Sequence, residues 1–415
     1  MNKNQLSIRL HGRPVGVLEQ KSTGKKSFLY DKNAHMSLSV SMPIREEPYG
    51  EQSCEAYFGG LLPESETAKK LIGKRYGVSP NNSFALLRAI GLDCAGAISC
   101  HAMDDPVVPQ RLIPITGKII TENELYQHIK ELPGKPLFLG VEGMRLSLAG
   151  VQDKAAICLI NNNQIALPEN SCPTTHILKP ASPHFAGIVE NEYFIMKIAR
   201  RIGLTVPDVE LKKIKDITFL LVERYDRHIE NNAIERIHQE DFCQALGVLT
   251  SRKYQNEGGP GFNDCFELLN TTTHPAIDRT RLISAAIFNY LIGNMDAHGK
   301  NFSLLHRTTS TIRLAPFYDM VCTRVYPDLS AKMAMKIGSK YNANDILPRY
   351  WEDLSEQIHY RYLALAKLIE TSGNQIKTAA QEEKMELKAK GINHPVIDKI
   401  IKYLDVNIDQ TLKRF

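Results

Sequence analysis

The sequence predicts an α+β protein in which a small N-terminal α/β subdomain precedes a strand-rich lobe and a helical lobe. Three observations favour this order. Short strand-like and helical runs alternate in the first part of the chain, strand patterns dominate from Leu137 to about Val222, and helical patterns dominate beyond Tyr225. We therefore predict domains at residues 1–110, 111–225 and 226–415.

The composition is that of an ordinary globular protein. The chain has 415 residues, of which 43% are hydrophobic and 23% charged, and its formal net charge is +5. The hydrophobic and charged fractions exclude disorder for the chain as a whole. The small positive net charge is only weak evidence for a nucleic-acid or lipid partner. No run approaches the roughly 18 apolar residues of a membrane helix, and the first residues lack an apolar signal stretch, so we expect a cytoplasmic protein without a membrane contact. The eight cysteines show neither C-x-x-C spacing nor a zinc pattern, and we expect buried thiols.

Strand and helix patterns can be placed along the N-terminal subdomain. Residues Leu6–Val17 alternate around a His11–Pro14 turn, and further strands are expected at Phe28–Tyr30 and Leu38–Val40. Helices are expected at Glu66–Tyr76 and at Ser83–Ile90, the second closed by Gly91. The segment Asp104–Pro109 is predicted to be a linker, with the first boundary near residue 110.

The two lobes have their own patterns. In the first lobe we expect strands at Ala155–Ile160, Gln164–Leu167, Thr175–Lys179 and Phe219–Val222, a hairpin through Asn161–Asn163, and a helix at Glu190–Ile202 closed by Gly203. In the second lobe we expect helices at Gln239–Leu246, Arg281–Leu291, Trp351–Glu370 and Val396–Leu404.

A segment after the apolar helix of the second lobe has the composition of a phosphotransferase catalytic loop. Asp296 and Asn301 have the D-x-x-x-x-N spacing in which the carboxylate accepts a proton from the attacking hydroxyl and the amide binds a metal. Asp319, after a short strand, would be a second metal ligand. Each residue alone is typical of a solvated turn. The three residues in this order make a kinase-like site about as probable as ordinary turns.

The strand-rich lobe contains candidates for nucleotide binding. Lys179, at a strand end, could reach phosphates and pair with Glu192 on the following helix, although an isolated pair of this kind is more often a surface feature. The strand leading to Tyr225 could present its backbone to adenine, with the tyrosine ring packing on the base. The segment Ser147–Lys154 could wrap phosphates with backbone N–H groups and Lys154, or it could be an ordinary turn.

Taken together, these segments resemble the HipA family of bacterial serine/threonine kinases, the toxins of HipA–HipB toxin–antitoxin modules. The resemblance extends over nearly the whole chain and rests on eight segments: Phe58–Pro63, Ser147–Lys154, Thr174–Lys179, Val222–Arg227, Gln239–Asp241, Gly258–Gly261, Asp296–Phe302 and Pro316–Asp319.

The resemblance implies a two-lobed protein-kinase-like fold, ATP and Mg²⁺ as cofactors, and a role for each site residue. Asp296 would be the catalytic base, Asn301 and Asp319 would hold Mg²⁺, and Ser147 would be an inhibitory autophosphorylation site. Contacts with ATP would come from Ala149, Gly150, Val151, Gln152, Asp153, Lys154, Lys179, Glu223, Arg224, Tyr225, His298, Gly299, Lys300, Asn301, Tyr318 and Asp319.

The resemblance also implies partners. These would be a HipB-like helix-turn-helix antitoxin, through which any DNA contact would be indirect, and a protein substrate that in this family is an aminoacyl-tRNA synthetase, notably the glutamyl enzyme. Two other functions remain open at this point. The chain could act mainly as a co-repressor bound to an antitoxin on DNA, or as a small-molecule or lipid kinase on the same fold.

Overall fold

The computed structural model of the chain describes residues 4–107, 112–138, 146–150, 152–160, 164–169 and 172–415. The N-terminal subdomain contains a four-stranded antiparallel sheet in the order β3-β2-β1-β4 and three helices. Its elements are β1 (Gln5–Leu10), β2 (Arg13–Gln20), β3 (Lys26–Tyr30), α1 (Glu51–Phe58), α2 (Glu66–Tyr76), α3 (Ser83–Ile90) and β4 (Ile98–His101).

Local chemistry explains where these elements begin and end. His11 and Gly12 have φ angles of 51° and 75°, the paired positive values that join two strands in a type I′ turn. The side chains of Ser65 and Asn82 accept hydrogen bonds from the first turns of α2 and α3. Both predicted helices are confirmed, and so is the end of α3 at Gly91.

The strand-rich lobe is a six-stranded antiparallel sheet in the order β10-β11-β9-β7-β8-β6. One long helix, α5, follows β9 and packs against the last two helices of the chain. The elements are β5 (Leu112–Pro114), β6 (Gly117–Ile119), α4 (Glu122–Glu131), β7 (Ala155–Ile160), β8 (Gln164–Pro168), β9 (His176–Pro180), α5 (Ile188–Arg201), β10 (Val209–Ile214) and β11 (Ile217–Glu223).

The second lobe is built on helices but also contains strands. β12 and β13 form a sheet with β5, β14 to β16 form another, and β17 pairs with β18. The elements are β12 (Arg227–Glu230), β13 (Ala233–Arg236), β14 (His238–Asp241), α6 (Phe242–Ala245), α7 (Phe262–Leu268), α8 (Pro275–Ile292), β15 (Ser303–Thr308), β16 (Thr311–Leu314), β17 (Lys332–Ile337), β18 (Lys340–Asn342), α9 (Pro348–Gln357), α10 (Tyr362–Ala389) and α11 (Pro395–Leu412).

Two large apolar cores hold the molecule together. One lies among α5, α8, α10 and α11 and includes the fully buried Phe288 and Trp351. The other runs without a break from Phe28 and Phe58 of the N-terminal subdomain to Leu178 and Phe219 in the six-stranded sheet. Because this second core is continuous, the N-terminal subdomain and the strand-rich lobe share one buried apolar interface.

The predicted two-lobed α+β architecture is confirmed, but three element predictions are wrong. Residues Leu38–Val40 form no strand, because their backbone groups are hydrogen-bonded to side chains instead of to another strand. The Leu38 carbonyl lies 2.8 Å from His238 Nε2, and the Val40 N–H donates to Glu240 Oε1. Residues Gln239–Leu246 are not one helix; the Asp241 capping box starts α6 only after β14.

The third error concerns Trp351–Glu370, which the structure divides into α9 and α10. Between them His359 has a left-handed φ of 50°, a conformation that a helix does not contain. Among the strands β12 to β18, only a short strand before Asp319 was predicted, and the strand found there, β16, ends at Leu314. The predicted hairpin at Asn161–Asn163 and the boundary at residue 110 lie outside the described residues.

Two expectations from composition can be compared with the fold. All eight cysteines are buried and free, as predicted. Among the described residues, no helix combines the length and the apolar character needed to cross a bilayer.

Candidate active site

A cavity of about 1260 Å³ lies between the six-stranded sheet and the helical lobe, and most of the predicted site residues line it. Val151 lies outside the described residues, and Ser147 and Gly299 lie behind the cavity wall. The predicted residues that face the cavity are Ala149, Gly150, Gln152, Asp153, Lys154, Lys179, Glu223, Arg224, Tyr225, Asp296, His298, Lys300, Asn301, Tyr318 and Asp319.

Lys179 connects the two lobes through one buried ion pair and one that is partly buried. It extends from β9, and its Nζ lies 2.7 Å from Glu192 Oε1 on α5 and also pairs with Asp319 of the helical lobe. Burial acts to lower the pKa of Lys179, but the charges of Asp319 and Glu192 outweigh it, and the pKa is raised. Lys179 is therefore a fixed positive charge on the cavity wall.

Asp319 has an unusual backbone and a stabilised charge. Its φ of 55° is in the left-handed region, which is uncommon for residues with a side chain, although Asp and Asn adopt it more readily than most. Burial acts to raise the pKa of this carboxyl, but Lys179 and Lys154 hold it well below its usual range. The side chain is thus an anion at neutral pH, as a metal ligand must be.

The loop that carries Asp296 begins where α8 ends at Gly293, whose φ is 73°. Asn294 Oδ1 accepts the N–H of Asp296 at 3.1 Å, and the Asp296 carbonyl accepts the N–H of His298 at 2.8 Å. The same carbonyl accepts Asn301 Nδ2 at 3.2 Å. These bonds close the loop on itself and leave the Asp296 carboxylate exposed to the cavity.

The donor set of this site fits Mg²⁺. Asp319 offers carboxylate oxygens, and the Asn301 amide, with its nitrogen bonded to Asp296, has its oxygen available. Within the described ranges no group of three or more His, Cys, Asp and Glu side chains is arranged as a metal site. Two oxygen donors suit a cation that keeps water and substrate phosphate as its other ligands, which is how proteins usually bind Mg²⁺.

The predicted phosphate loop is folded inward. Gly150 has a φ of 107°, and a Cβ there would collide with the Lys154 ammonium, which donates to the Ala149 carbonyl at 2.9 Å. Burial lowers the pKa of Lys154. Ser147 is fully buried, its Oγ donates to the Leu61 carbonyl at 2.7 Å, and its N–H donates to the Asp93 carbonyl at 2.9 Å.

The strand predicted to contact adenine lies against the cavity, but its side chains have other partners. The N–H groups of Glu223 and Arg224 donate to backbone carbonyls of residues 208 and 175, at 2.8 and 2.9 Å. The Arg224 guanidinium is buried and pairs with Asp226. The Tyr225 ring stacks on Tyr318, with centroids 5.6 Å apart. The Arg224 side chain is thus already paired within the protein, and the contacts of Glu223, Arg224 and Tyr225 with adenine stay a prediction.

Lys300 and His298 are directed away from solvent. Lys300 Nζ lies 2.6 Å from Asp241 Oδ2 and 3.9 Å from Glu64 Oε1. Burial lowers the pKa of His298 to about 4, so the imidazole is neutral at physiological pH. Its Nδ1 is buried without a hydrogen-bond partner in the described part of the chain.

The cavity wall also contains residues that the sequence did not predict as site residues, and Glu64, Lys253 and Tyr254 are three of them. Glu64 pairs with Lys253 at 2.7 Å, and Tyr254 donates to Asp296 Oδ1 at 2.7 Å. Each lies next to a segment that carries the family resemblance, Glu64 after Phe58–Pro63 and Lys253–Tyr254 before Gly258–Gly261. Their position beside those segments was the only sign in the sequence that they belong to the site. Their contacts could not be predicted, because Glu64 and Lys253, and likewise Tyr254 and Asp296, are far apart in sequence.

The comparisons with known proteins agree with each other. Residues 6–101 match the family model described as the HipA N-terminal domain, and residues 146–388 match the HipA-like C-terminal domain. The chain is 43% identical over 365 residues to the protein Y4mE of Sinorhizobium fredii, covering 86% of each chain. It is 36% identical over 300 residues to the serine/threonine-protein kinase toxin HipA of Shewanella oneidensis, covering 69% of this chain and 67% of that one.

The fold agrees with a solved structure as well. HipA of Shewanella oneidensis, in a complex with HipB and operator DNA, superposes with a TM-score of 0.81 at 27% identity, covering 99% of this chain and 96% of the other.

Proposed function

The chain belongs to the HipA family of serine/threonine kinases, and we propose that it transfers the γ-phosphate of ATP to a hydroxyl with Asp296 as the base. Asn301 and Asp319 would hold Mg²⁺ in this proposal. The observation that carries it is the meeting of the Lys179–Glu192–Asp319 ion pairs and the exposed Asp296 carboxylate in one cavity. Phosphoryl transfer needs these groups together, since catalysis rests on positioning and charge.

The residues have separate roles in the proposed step. The substrate oxygen forms a bond to the γ-phosphorus, the bond from that phosphorus to the ADP oxygen breaks, and the hydroxyl proton passes to Asp296. Lys179 binds phosphate oxygens, and Glu192 keeps it in place. Mg²⁺ would neutralise charge on the phosphates.

Inhibition by self-phosphorylation would act through Ser147. Its hydroxyl is fully buried against a carbonyl oxygen, so the loop must leave its present position before the serine can accept a phosphate. A phosphate adds about −1.5 to −2 charge. Such a group has no space beside the Leu61 and Asp93 carbonyls, and the loop would then stay outside, away from ATP.

The biological role we propose is that of the toxin in a toxin–antitoxin pair. The partner would be a HipB-like helix-turn-helix protein, because the superposed HipA was solved with HipB and its operator DNA. Contact with DNA would then be indirect. The proposed substrate is an aminoacyl-tRNA synthetase, of the glutamyl type by family analogy, and its phosphorylation would stop translation and growth.

Intact-mass spectrometry after incubation with Mg²⁺ and ATP tests the proposal, with Asp296→Ala as the control. We expect the wild type alone to gain one phosphate, on Ser147, and wild-type expression alone to arrest growth. An Asp296→Ala chain that still gains phosphate would rule out Asp296 as the base. Unmodified wild type that gains none would favour an adaptor or a small-molecule kinase.

A further inference from the structure

A loop of the helical lobe, residues 250–261, lies beside the segment that carries Asp296, and we call it the tyrosine loop. Its Lys253 carbonyl accepts the N–H of Gly299 at 3.3 Å. Its Gln255 side chain accepts the N–H of Lys336, on β17, at 2.8 Å. The loop is therefore fixed between the catalytic segment and β17.

Glycines give this loop its shape. Gly258 has a φ of 88°, and a Cβ on Gly259 would collide with the carbonyl oxygens of Arg252 and Tyr254. Pro260 packs in the space that a Cβ on Gly299 would occupy. The Gly258–Gly261 segment has no role in the proposed function, yet it determines where Tyr254 lies.

Tyr254 bonds directly to the proposed base. Its Oη donates to Asp296 Oδ1 at 2.7 Å, and its ring meets the His298 ring edge-on, with centroids 5.1 Å apart. Burial and the Asp296 charge raise the pKa of Tyr254, so the hydroxyl keeps its proton and remains a donor. A carboxylate with one oxygen bonded in this way presents the other oxygen in a fixed direction.

We propose that Tyr254 is a positioning residue, which orients the Asp296 carboxylate so that Oδ2 receives the proton of the substrate hydroxyl. This inference rests on the proposed function, since it takes Asp296 as the base. In this proposal the glycine-rich segment Gly258–Gly261 holds the Tyr254 hydroxyl beside the Asp296 carboxylate.

The competing explanation is that Tyr254 only packs against His298. Tyr254→Phe separates the two, because it keeps the ring and removes the hydroxyl, whereas Tyr254→Ala removes both. The measurement is the initial rate of phosphate incorporation into the full chain with Mg²⁺ and varied ATP. The matched control is Tyr362→Phe, at the start of α10 and outside the cavity.

We expect Tyr254→Phe to lower the limiting rate constant of phosphate incorporation roughly tenfold, while the ATP concentration that gives half of that rate stays within about twofold, and Tyr254→Ala to lose at least as much. A Tyr254→Phe chain with the wild-type rate constant would overturn the proposal and leave the proposed function standing. Full activity of Asp296→Ala would instead show that Asp296 is not the base, and the proposed function itself would then be wrong.

A structural test does not depend on activity. Crystal structures of the full-length wild type and of Tyr254→Phe should show a Tyr254–Asp296 bond of about 2.6–3.2 Å in the first and a reoriented carboxylate in the second. A wild-type tyrosine hydroxyl turned away from Asp296, or an identical carboxylate in both, would contradict the inference.

Discussion

The backbone N–H of Glu64 donates a hydrogen bond to the carbonyl oxygen of Gly150, with an N···O distance of 3.1 Å. One residue of the N-terminal subdomain thus contacts the predicted phosphate loop through its backbone. Its carboxylate contacts the helical lobe, at Lys253 and Lys300. Glu64 therefore joins three parts of the molecule at the cavity.

The charge of Glu64 should contribute to stability in a pH-dependent way. Burial acts to raise the pKa of Glu64, but Lys300 and Lys253 outweigh it, and the pKa is lowered. A lowered folded-state pKa means that the stabilisation is present above the unfolded value of about 4.3 and is lost as the pH falls through the folded value.

We therefore expect Glu64→Gln to lower the free energy of unfolding by about 1–3 kcal/mol at pH 7. Denaturant unfolding at several pH values measures it. The difference from the wild type should shrink below about pH 4. A difference that is constant from pH 7 to pH 3 would mean that packing, not charge, is responsible. Glu66→Gln, on the exposed surface nearby, is the matched control.

Ser147 gives a second prediction. Because its side chain is fully buried and lies 2.7 Å from the Leu61 carbonyl, Ser147→Asp would place a buried carboxylate against a carbonyl oxygen. We expect the loop to leave, with ATP affinity reduced by at least about tenfold at little cost to the melting temperature. Calorimetric titration with Mg²⁺ and ATP measures the affinity.

Ser147→Ala is the control for that experiment. It keeps the volume and loses one hydrogen bond, so ATP affinity should stay within about threefold and self-phosphorylation should disappear. Equal ATP affinity in the aspartate and alanine variants would contradict the proposed inhibition.

The parts that the sequence predicted well depend on local chemistry. The Ser65 and Asn82 caps determine where α2 and α3 begin, and each acts within a few residues. The spacing of Asp296 and Asn301 is local too, because both lie in one loop. Asp319 follows in the loop after β16 of the same lobe, and all three residues line one cavity.

The parts that were missed depend on distant partners. β14 forms by pairing with β15, and in this pairing His238 lies opposite His306. Residues Leu38–Val40 were predicted to be a strand. The prediction failed because their backbone bonds to the side chains of His238 and Glu240, about two hundred positions away. Hydrophobic periodicity contains no information about contacts of this kind.

Lys179 gives a third prediction, on activity. Lys179→Met keeps much of the length and removes the charge that pairs with Glu192 and Asp319. We expect phosphate transfer to fall by about 10²-fold or more, since a fixed charge on the phosphates is lost. Lys213→Met, an exposed lysine on β10 of the same sheet, should transfer at the wild-type rate. If Lys179→Met transferred phosphate at a rate within about threefold of the wild-type rate, the proposed role of this lysine would be contradicted.

The last prediction concerns Asp93, which ties the N-terminal subdomain to the strand next to the cavity. Asp93 is buried and pairs with Arg227 at 2.8 Å and with Arg224 at 3.4 Å, while Thr174 Oγ1 donates to it at 2.8 Å. Burial acts to raise its pKa, but the arginines outweigh it and lower the pKa to about 2. The carboxylate therefore stabilises the fold above the unfolded value of about 3.9, and this contribution is lost as the pH falls towards 2.

Asp93→Asn leaves these buried guanidinium groups with Asp226 as their remaining close carboxylate, so we expect a loss of about 3–5 kcal/mol at pH 7. The difference should narrow between about pH 4 and pH 2. Asp104→Asn, on the exposed surface of the same subdomain, should unfold like the wild type. ATP affinity should also fall in Asp93→Asn, because the Asp93 carboxylate pairs with Arg224, which lines the cavity. A destabilised variant with unchanged ATP affinity would show that this ion network supports the fold without positioning the nucleotide site.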